Sequence, residues 1–238
     1  MPRSSHTPSK RACWGALIPA LLLPLAATLV YFVLLSHSPV GRVIYGVTKV
    51  FDLAWPLIAL FFILRTGLPK LDLGSRVHLR AIPLGLLTGG LIVAVMFLLL
   101  QTPLGDIVRA GGENIKAKAD ALGFLDNFLL FALFISLFNS FVEEYYWRWF
   151  VFNWLRRVLP LWGAYLTAGV AFGAYHVVVI SQFFPFGFAL FLGVMVGVGG
   201  LIWSWMLQRQ HTLAGAWLSH MIVDLGVMAI GYRVMGLG

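Results

Sequence analysis

Residues 124–142 read FLDNFLLFALFISLFNSFV, and residues 143–148 read EEYYWR. The first stretch is an almost unbroken apolar run, about the length a helix needs to cross the hydrocarbon core of a bilayer. The second sets two adjacent carboxylates at its end. A soluble domain would have to hide that run inside, and the rest of the chain has no polar surface to spare. Of 238 residues 60% are hydrophobic and 11% charged, with a mean hydropathy of +0.89. An ordinary soluble domain carries about 25% charged residues. Working outward, comparable runs lie at about 14–35, 43–64, 81–102, 161–180, 185–207 and 213–235. The expected fold class is therefore all-α, a polytopic membrane helical bundle of about seven transmembrane helices. The composition excludes a disordered chain, which would be poor in apolar residues. A disulfide scaffold is excluded as well, because Cys13 is the only cysteine.

Residues 1–13 read as a polar cytoplasmic tail and 14–238 as a single multi-pass membrane domain. The first run follows basic residues, as a signal peptide would. It is longer than a typical signal core and no clear small-residue cleavage site follows, so it is read as a retained helix. The connector 103–122 is the longest polar one. Its stretch Asn114–Leu122 reads as a short interfacial amphipathic segment.

The net charge of +8 does not mark a nucleic-acid binder, because the basic residues sit in short connectors rather than on one stripe. They mark cytoplasmic loops instead. With the N-terminus inside, most of the seventeen Lys and Arg fall on the cytoplasmic side: Arg3, Lys10 and Arg11, then Arg65, Lys70, Arg76 and Arg80, then Arg148, Arg156 and Arg157, then Arg209. Arg42, Arg109, Lys116, Lys118 and Arg233 fall outside. The expected location is an integral membrane one, a prokaryotic inner membrane, with a cytoplasmic N-terminus and with membrane lipid as the surrounding partner. No oligomeric state follows from the sequence.

Gly193 and Gly197 have the spacing that lets helix backbones approach, for packing within the bundle or for a dimer face. Tyr145, Tyr146, Trp147, Trp149, Phe150, Phe152 and Trp154 form an aromatic cluster. It reads as a belt where the fourth span meets the interface and then runs along it, with contact to a substrate as the alternative. Lys49 and Asp52, three apart in the second run, either neutralise each other or line a polar path.

Ionisable residues inside a membrane are costly and are functional candidates by default. Glu144 and Arg148 are four apart on a helix and can pair. Glu143 points about 100° away and lacks that partner, which suits a general base. His176 lies in the fifth run, and His220 and Asp224 share one face of the seventh. Separate helices of a bundle thus each contribute to one polar cluster.

At these residues the chain resembles the CAAX-protease and bacteriocin-processing (Abi) family of intramembrane proteases. That family's pattern is EExxxR, then FxxxH, then HxxxN or HxxxD on successive helices. Here the first is Glu143-Glu144-Tyr145-Tyr146-Trp147-Arg148, the second runs from Phe172 to His176, and the third from His220 to Asp224. The resemblance covers about residues 124–235, the protease-like core. It implies an endopeptidase cutting near the terminus of a membrane-associated, lipid-tethered or sorting-signal-bearing protein. By the same resemblance, Glu143 activates water, His176 holds or polarises it, and His220 and Asp224 steady the oxyanion. Glu144 and Arg148 position the first motif, with Phe172 opening the second. Eukaryotic CAAX proteases of the family have Asn where this chain has Asp224. An ionised Asp cannot donate to an oxyanion, so Asp224 acts as a neutral acid, orients His220 or helps bind a metal. No cofactor is favoured. Zinc is the alternative, with Glu143, His176, His220 and Asp224 as its ligands. The competing classes are a non-catalytic adaptor or chaperone of the same fold and a small proton-coupled transporter.

Overall fold

The computed structural model describes residues 7–35, 38–68, 75–121 and 123–238. Residues 1–6 of the expected tail, Lys70 and Leu122 lie outside the described residues. Seven helices are long and apolar enough to cross a membrane, and the chain is an all-α polytopic bundle.

Helix α1 is Lys10–Leu34. Ser9 caps it by accepting from the Ala12 N–H. The helix therefore begins four residues before the expected boundary, and the end of the expected tail is its first turn. Helix α2 is Pro39–Ile58, continued by a π-helical turn at Ala59–Ile63. Ser38 caps it, and Pro39 takes the first position, where its missing N–H costs nothing. Helix α3 is Ser75–Leu99. The polar connector folds into α4 (Pro103–Ala110) and α5 (Gly112–Ala121). Helices α6 (Phe128–Val158), α7 (Leu161–Ile180), α8 (Phe186–Gln210) and α9 (Ala214–Val234) complete the chain.

The α4–α5 segment is fastened to the bundle. Ala119 is buried with Phe128 and Met235, and the Asn114 side chain donates to the Gln182 and Phe183 carbonyls in the turn between α7 and α8.

Two helix pairs set the frame, α7 with α8 and α3 with α9. Each is joined by close backbone approach. A Cβ at Gly173 would stand 2.6 Å from the Gly193 carbonyl oxygen, and one at Gly197 would stand 3.0 Å from that of Gly169. The Gly193–Gly197 spacing is thus used inside the bundle, between α8 and α7. In the second pair, Gly85 and Gly89 of α3 face Gly215 and Ser219 of α9: a Cβ at Gly85 would stand 2.8 Å from the Gly215 carbonyl oxygen and one at Gly89 3.0 Å from that of Ser219. Without a hydrophobic drive between helices in lipid, such contact supplies the dispersion energy that holds them.

Three expectations are overturned in α6. The fourth span does not end at residue 142. The helix runs on to Val158, with π-helical stretches at Ile135–Asn139 and Glu144–Phe152. The aromatic cluster is accordingly no interfacial belt. Tyr146, Trp147, Phe150, Phe152 and Trp154 are buried in the main core, with Ala16, Leu17 and Ala20 of α1. Only Tyr145 and Trp149 are partly exposed, stacked at 5.1 Å. For the same reason Arg148 is not a cytoplasmic loop residue: it is 1% exposed, inside the span. Pro24 has no N–H to give the Ala20 carbonyl, and the Tyr146 hydroxyl donates to that oxygen at 2.8 Å.

Candidate active site

Helices α6, α7, α8 and α9 bring the polar side chains together. Glu143 and Glu144 are successive on α6, at a junction between α- and π-helical turns. Such irregular turns recur at functional sites because they re-aim side chains. Glu144 points inward and is fully buried. Its Oε1 lies 3.1 Å from Arg148 Nη1, so the pair expected from the spacing is formed. The same oxygen lies 2.8 Å from His220 Nδ1. A carboxylate only accepts, so Nδ1 carries the proton and donates. This fixes the ring and turns Nε2 the other way.

His220 Nε2 faces two further carboxylates, Glu143 Oε2 at 3.7 Å and Asp224 Oδ1 at 3.6 Å. These are charge contacts, too long for direct hydrogen bonds. Three carboxylates therefore surround one imidazole. The carboxylate that orients His220 through Nδ1 is Glu144, while Asp224 faces Nε2 beside Glu143. Side-chain exposure rises from none at Glu144 to 10% at Glu143 and 19% at Asp224, so the Asp224 side is the more open one.

His176 stands on α7, one turn after Phe172. Its Nδ1 donates to the Phe172 carbonyl at 2.8 Å, which leaves Nε2 unused by the backbone. Glu143 lies in the field of both His176 and His220. The Tyr175 hydroxyl is also turned to the Glu143 carboxylate.

Aromatic faces enclose the cations. The Arg148 guanidinium lies 4.2 Å from the Phe172 ring centroid and 4.9 Å from that of Trp203, attracted by the negative ring faces. Trp203 stacks on His220 at 4.0 Å with an interplanar angle of 14°. Its indole N–H donates to Ser219 Oγ, which also accepts from Thr88 of α3. A Cβ at Gly200 would stand 3.1 Å from Arg148 Nη2 and 3.2 Å from the Phe172 ring, so this glycine leaves the space the sandwich fills.

Several residues of the site are not evident from the motifs. Asn139 donates to Glu143 Oε1 at 2.9 Å. It stands one helical turn earlier, so the four-residue spacing carried a signal. Trp203, Tyr175 and Ser219 carried none, since their roles depend on how helices distant in sequence meet. Lys49 also reaches the cluster, through Asn139. Its distance to Asp52 is 3.8 Å, longer than its 2.9 Å contact with Asn139.

A zinc ion needs several donors converging at about 2.0–2.3 Å. Among the described residues, no group of three His, Cys, Asp or Glu side chains is spaced to hold a metal. The donor atoms as placed do not fit the ion.

Residues 125–226 match a family model described as type II CAAX prenyl endopeptidase Rce1-like. The matched stretch contains Glu143, Glu144, Arg148, Phe172, His176, His220 and Asp224. No curated protein and no solved structure matches the chain.

Proposed function

We propose, starting from the CAAX-protease family to which residues 125–226 belong, that the chain hydrolyses a peptide bond near the end of a lipid-tethered or otherwise membrane-associated protein, with Glu143 as general base. The family is one of intramembrane proteases. The observation that carries the finer reading is the meeting of Glu143 Oε2 and Asp224 Oδ1 at His220 Nε2, with the opposite ring nitrogen held by Glu144. Amide hydrolysis needs a base beside a water, a positioned imidazole and donors aimed at the developing oxyanion. Glu143, His220 and His176 supply these from three helices.

In this reading Glu143 takes a proton from water as the water oxygen adds to the scissile carbonyl carbon. The charge that develops on the carbonyl oxygen is met by His220 as an imidazolium, whose Nε2–H donates while Nδ1–H stays on Glu144, and His176, its Nδ1 proton given to the Phe172 carbonyl, holds the water by accepting at Nε2. The proton on Glu143 passes to the amide nitrogen as the C–N bond breaks, leaving a carboxylate and an amine. Glu144 keeps the His220 ring in orientation, and Arg148 balances Glu144. Asp224 holds the Nε2 side of His220. No step is assigned to a metal. The basic tail and connectors support a cytoplasmic N-terminus in a prokaryotic inner membrane.

Glu143→Gln keeps the shape and hydrogen bonding of the side chain and removes the base. Activity should fall by about 10²–10⁴-fold on an internally quenched farnesylated peptide, with the detergent-solubilised protein still monodisperse. The membranes of cells carrying this variant should accumulate an uncut precursor, visible by quantitative proteomics. Cleavage at the wild-type rate would overturn the mechanism. Activity lost on chelation and regained on adding zinc would overturn its metal-free form.

A further inference from the structure

The second helix reaches the site from outside the stretch that matches the family. Lys49 Nζ of α2 donates to Asn139 Oδ1 at 2.9 Å, and Asn139 Nδ2 donates to Glu143 Oε1 at 2.9 Å. The amide fits only one way. An ammonium offers donors alone and a carboxylate accepts alone, so the amide oxygen must face Lys49 and the amide nitrogen Glu143. Each link thereby specifies the next. Lys49 and Asp52 both lie within the apolar span Gly46–Ile63, where a charge is retained at a cost. Lys49 and Asp52 pair as a charge contact at 3.8 Å, and the shorter bond from Lys49 crosses to α6.

The two oxygens of Glu143 are thus distinguished. Oε1 is tied to Asn139, and Oε2 faces His220 Nε2. A carboxylate turns easily about its last torsion, and a turned base would present its proton-accepting oxygen away from the imidazole. We infer that Lys49 and Asn139 are positioning residues that lock the Glu143 carboxylate, so that α2 completes a catalytic site whose motifs all lie in the C-terminal half. The inference rests on the proposed role of Glu143 as base.

The test uses purified full-length variants in proteoliposomes, with kcat and KM measured on an internally quenched farnesylated peptide. Lys49→Met and Asn139→Leu should each lower kcat about 10–100-fold, the range for loss of outer-shell partners, with KM within about twofold. Lys49→Arg should restore most of the rate. The double variant should be no slower than Asn139→Leu alone, because both substitutions break one chain. Should Asn139→Leu fail to elute as a single folded species, the isosteric Asn139→Asp replaces it. That variant still accepts from Lys49 and offers Glu143 no donor, so it too should be slow. Wild-type kcat in Lys49→Met, Asn139→Leu or Asn139→Asp while Glu143→Gln is inactive would overturn the inference and leave the base in place. Multiplying losses in the double variant, or a change confined to KM, would overturn it as well. Full activity in Glu143→Gln would instead remove the base, the reading beneath.

Discussion

Replacing Arg148 with Met should destabilise the fold strongly, and replacing Glu144 at the same time should restore part of the loss. Arg148 is 1% exposed and Glu144 is not exposed at all. Met keeps much of the stem but removes the guanidinium that lies between Phe172 and Trp203. Glu144 is then left in the core with His220 Nδ1 as its remaining close charged partner. Breaking a buried ion pair from one side costs about 3–5 kcal/mol. Two lost guanidinium–ring contacts, worth about 0.5–2 kcal/mol each, lie partly within that figure. Against a total stability of about 5–15 kcal/mol, the single variant is marginal. Glu144→Gln combined with Arg148→Met removes both charges and should recover about 1–3 kcal/mol relative to the sum of the single losses. Equilibrium unfolding in mixed micelles, with thermal shift as a cross-check, reads both quantities. A single loss below about 1 kcal/mol, or strictly additive losses, would show that this pair does not hold the core.

Two further outcomes follow from packing and hydrogen-bond chemistry. Gly173→Ala drives a Cβ toward the Gly193 carbonyl oxygen, 2.6 Å away, and should cost about 1–3 kcal/mol by overpacking. Gly187→Ala has nothing within 4 Å of its Cβ and should be neutral or slightly stabilising; equal losses at both positions, read by thermal shift, would refute close α7–α8 packing as the cause. Asp224→Asn keeps an acceptor beside His220 Nε2 and should retain peptidase activity within about tenfold, whereas Asp224→Leu should lose about 10²–10³-fold. Equal loss in the two would assign the role of Asp224 to its charge alone.

The fold class was legible because bilayer length imposes one simple rule on sequence. Seven apolar runs gave seven spans, and the Gly193–Gly197 spacing already pointed to close packing. Where reading by hydropathy failed, it failed at α6. Glu143, Glu144 and Arg148 ended the apolar run on paper, yet the helix continues through them because each finds a buried partner. A local scale gives every charge its cost in lipid and cannot see an ion pair closed by Phe172, Trp203 and His220 from other helices. The aromatic cluster was misplaced for the same reason. Tyr and Trp at a charged boundary read as an interface until that boundary proves to be the middle of a helix. The Glu144–Arg148 pairing was visible because it lies within one helical turn. The tie between Glu144 and His220 spans seventy-six positions, and no spacing rule reaches so far.

That distance has a consequence for how loss of function must be read in this bundle. Glu143, Glu144, Asp224, His220 and Arg148 are not independent groups in a pre-formed cavity. Glu144 is shared between a guanidinium and an imidazole, and that imidazole faces the other two carboxylates. Removing one member leaves the rest uncompensated in low dielectric, where an unpaired charge is most costly. An alanine at Glu144 would therefore silence the protein by unseating His220 and stranding Arg148, whether or not Glu144 meets the substrate. A glutamine there keeps the acceptor for His220 Nδ1 and removes only the charge. Catalytic roles in this site are separable from structural ones only by isosteres that keep each hydrogen bond in turn. A residue whose isostere folds normally but does not turn over, as expected of Glu143→Gln, belongs to the chemistry. A residue whose isostere fails in both respects, as expected of Arg148→Met, belongs to the frame that holds it.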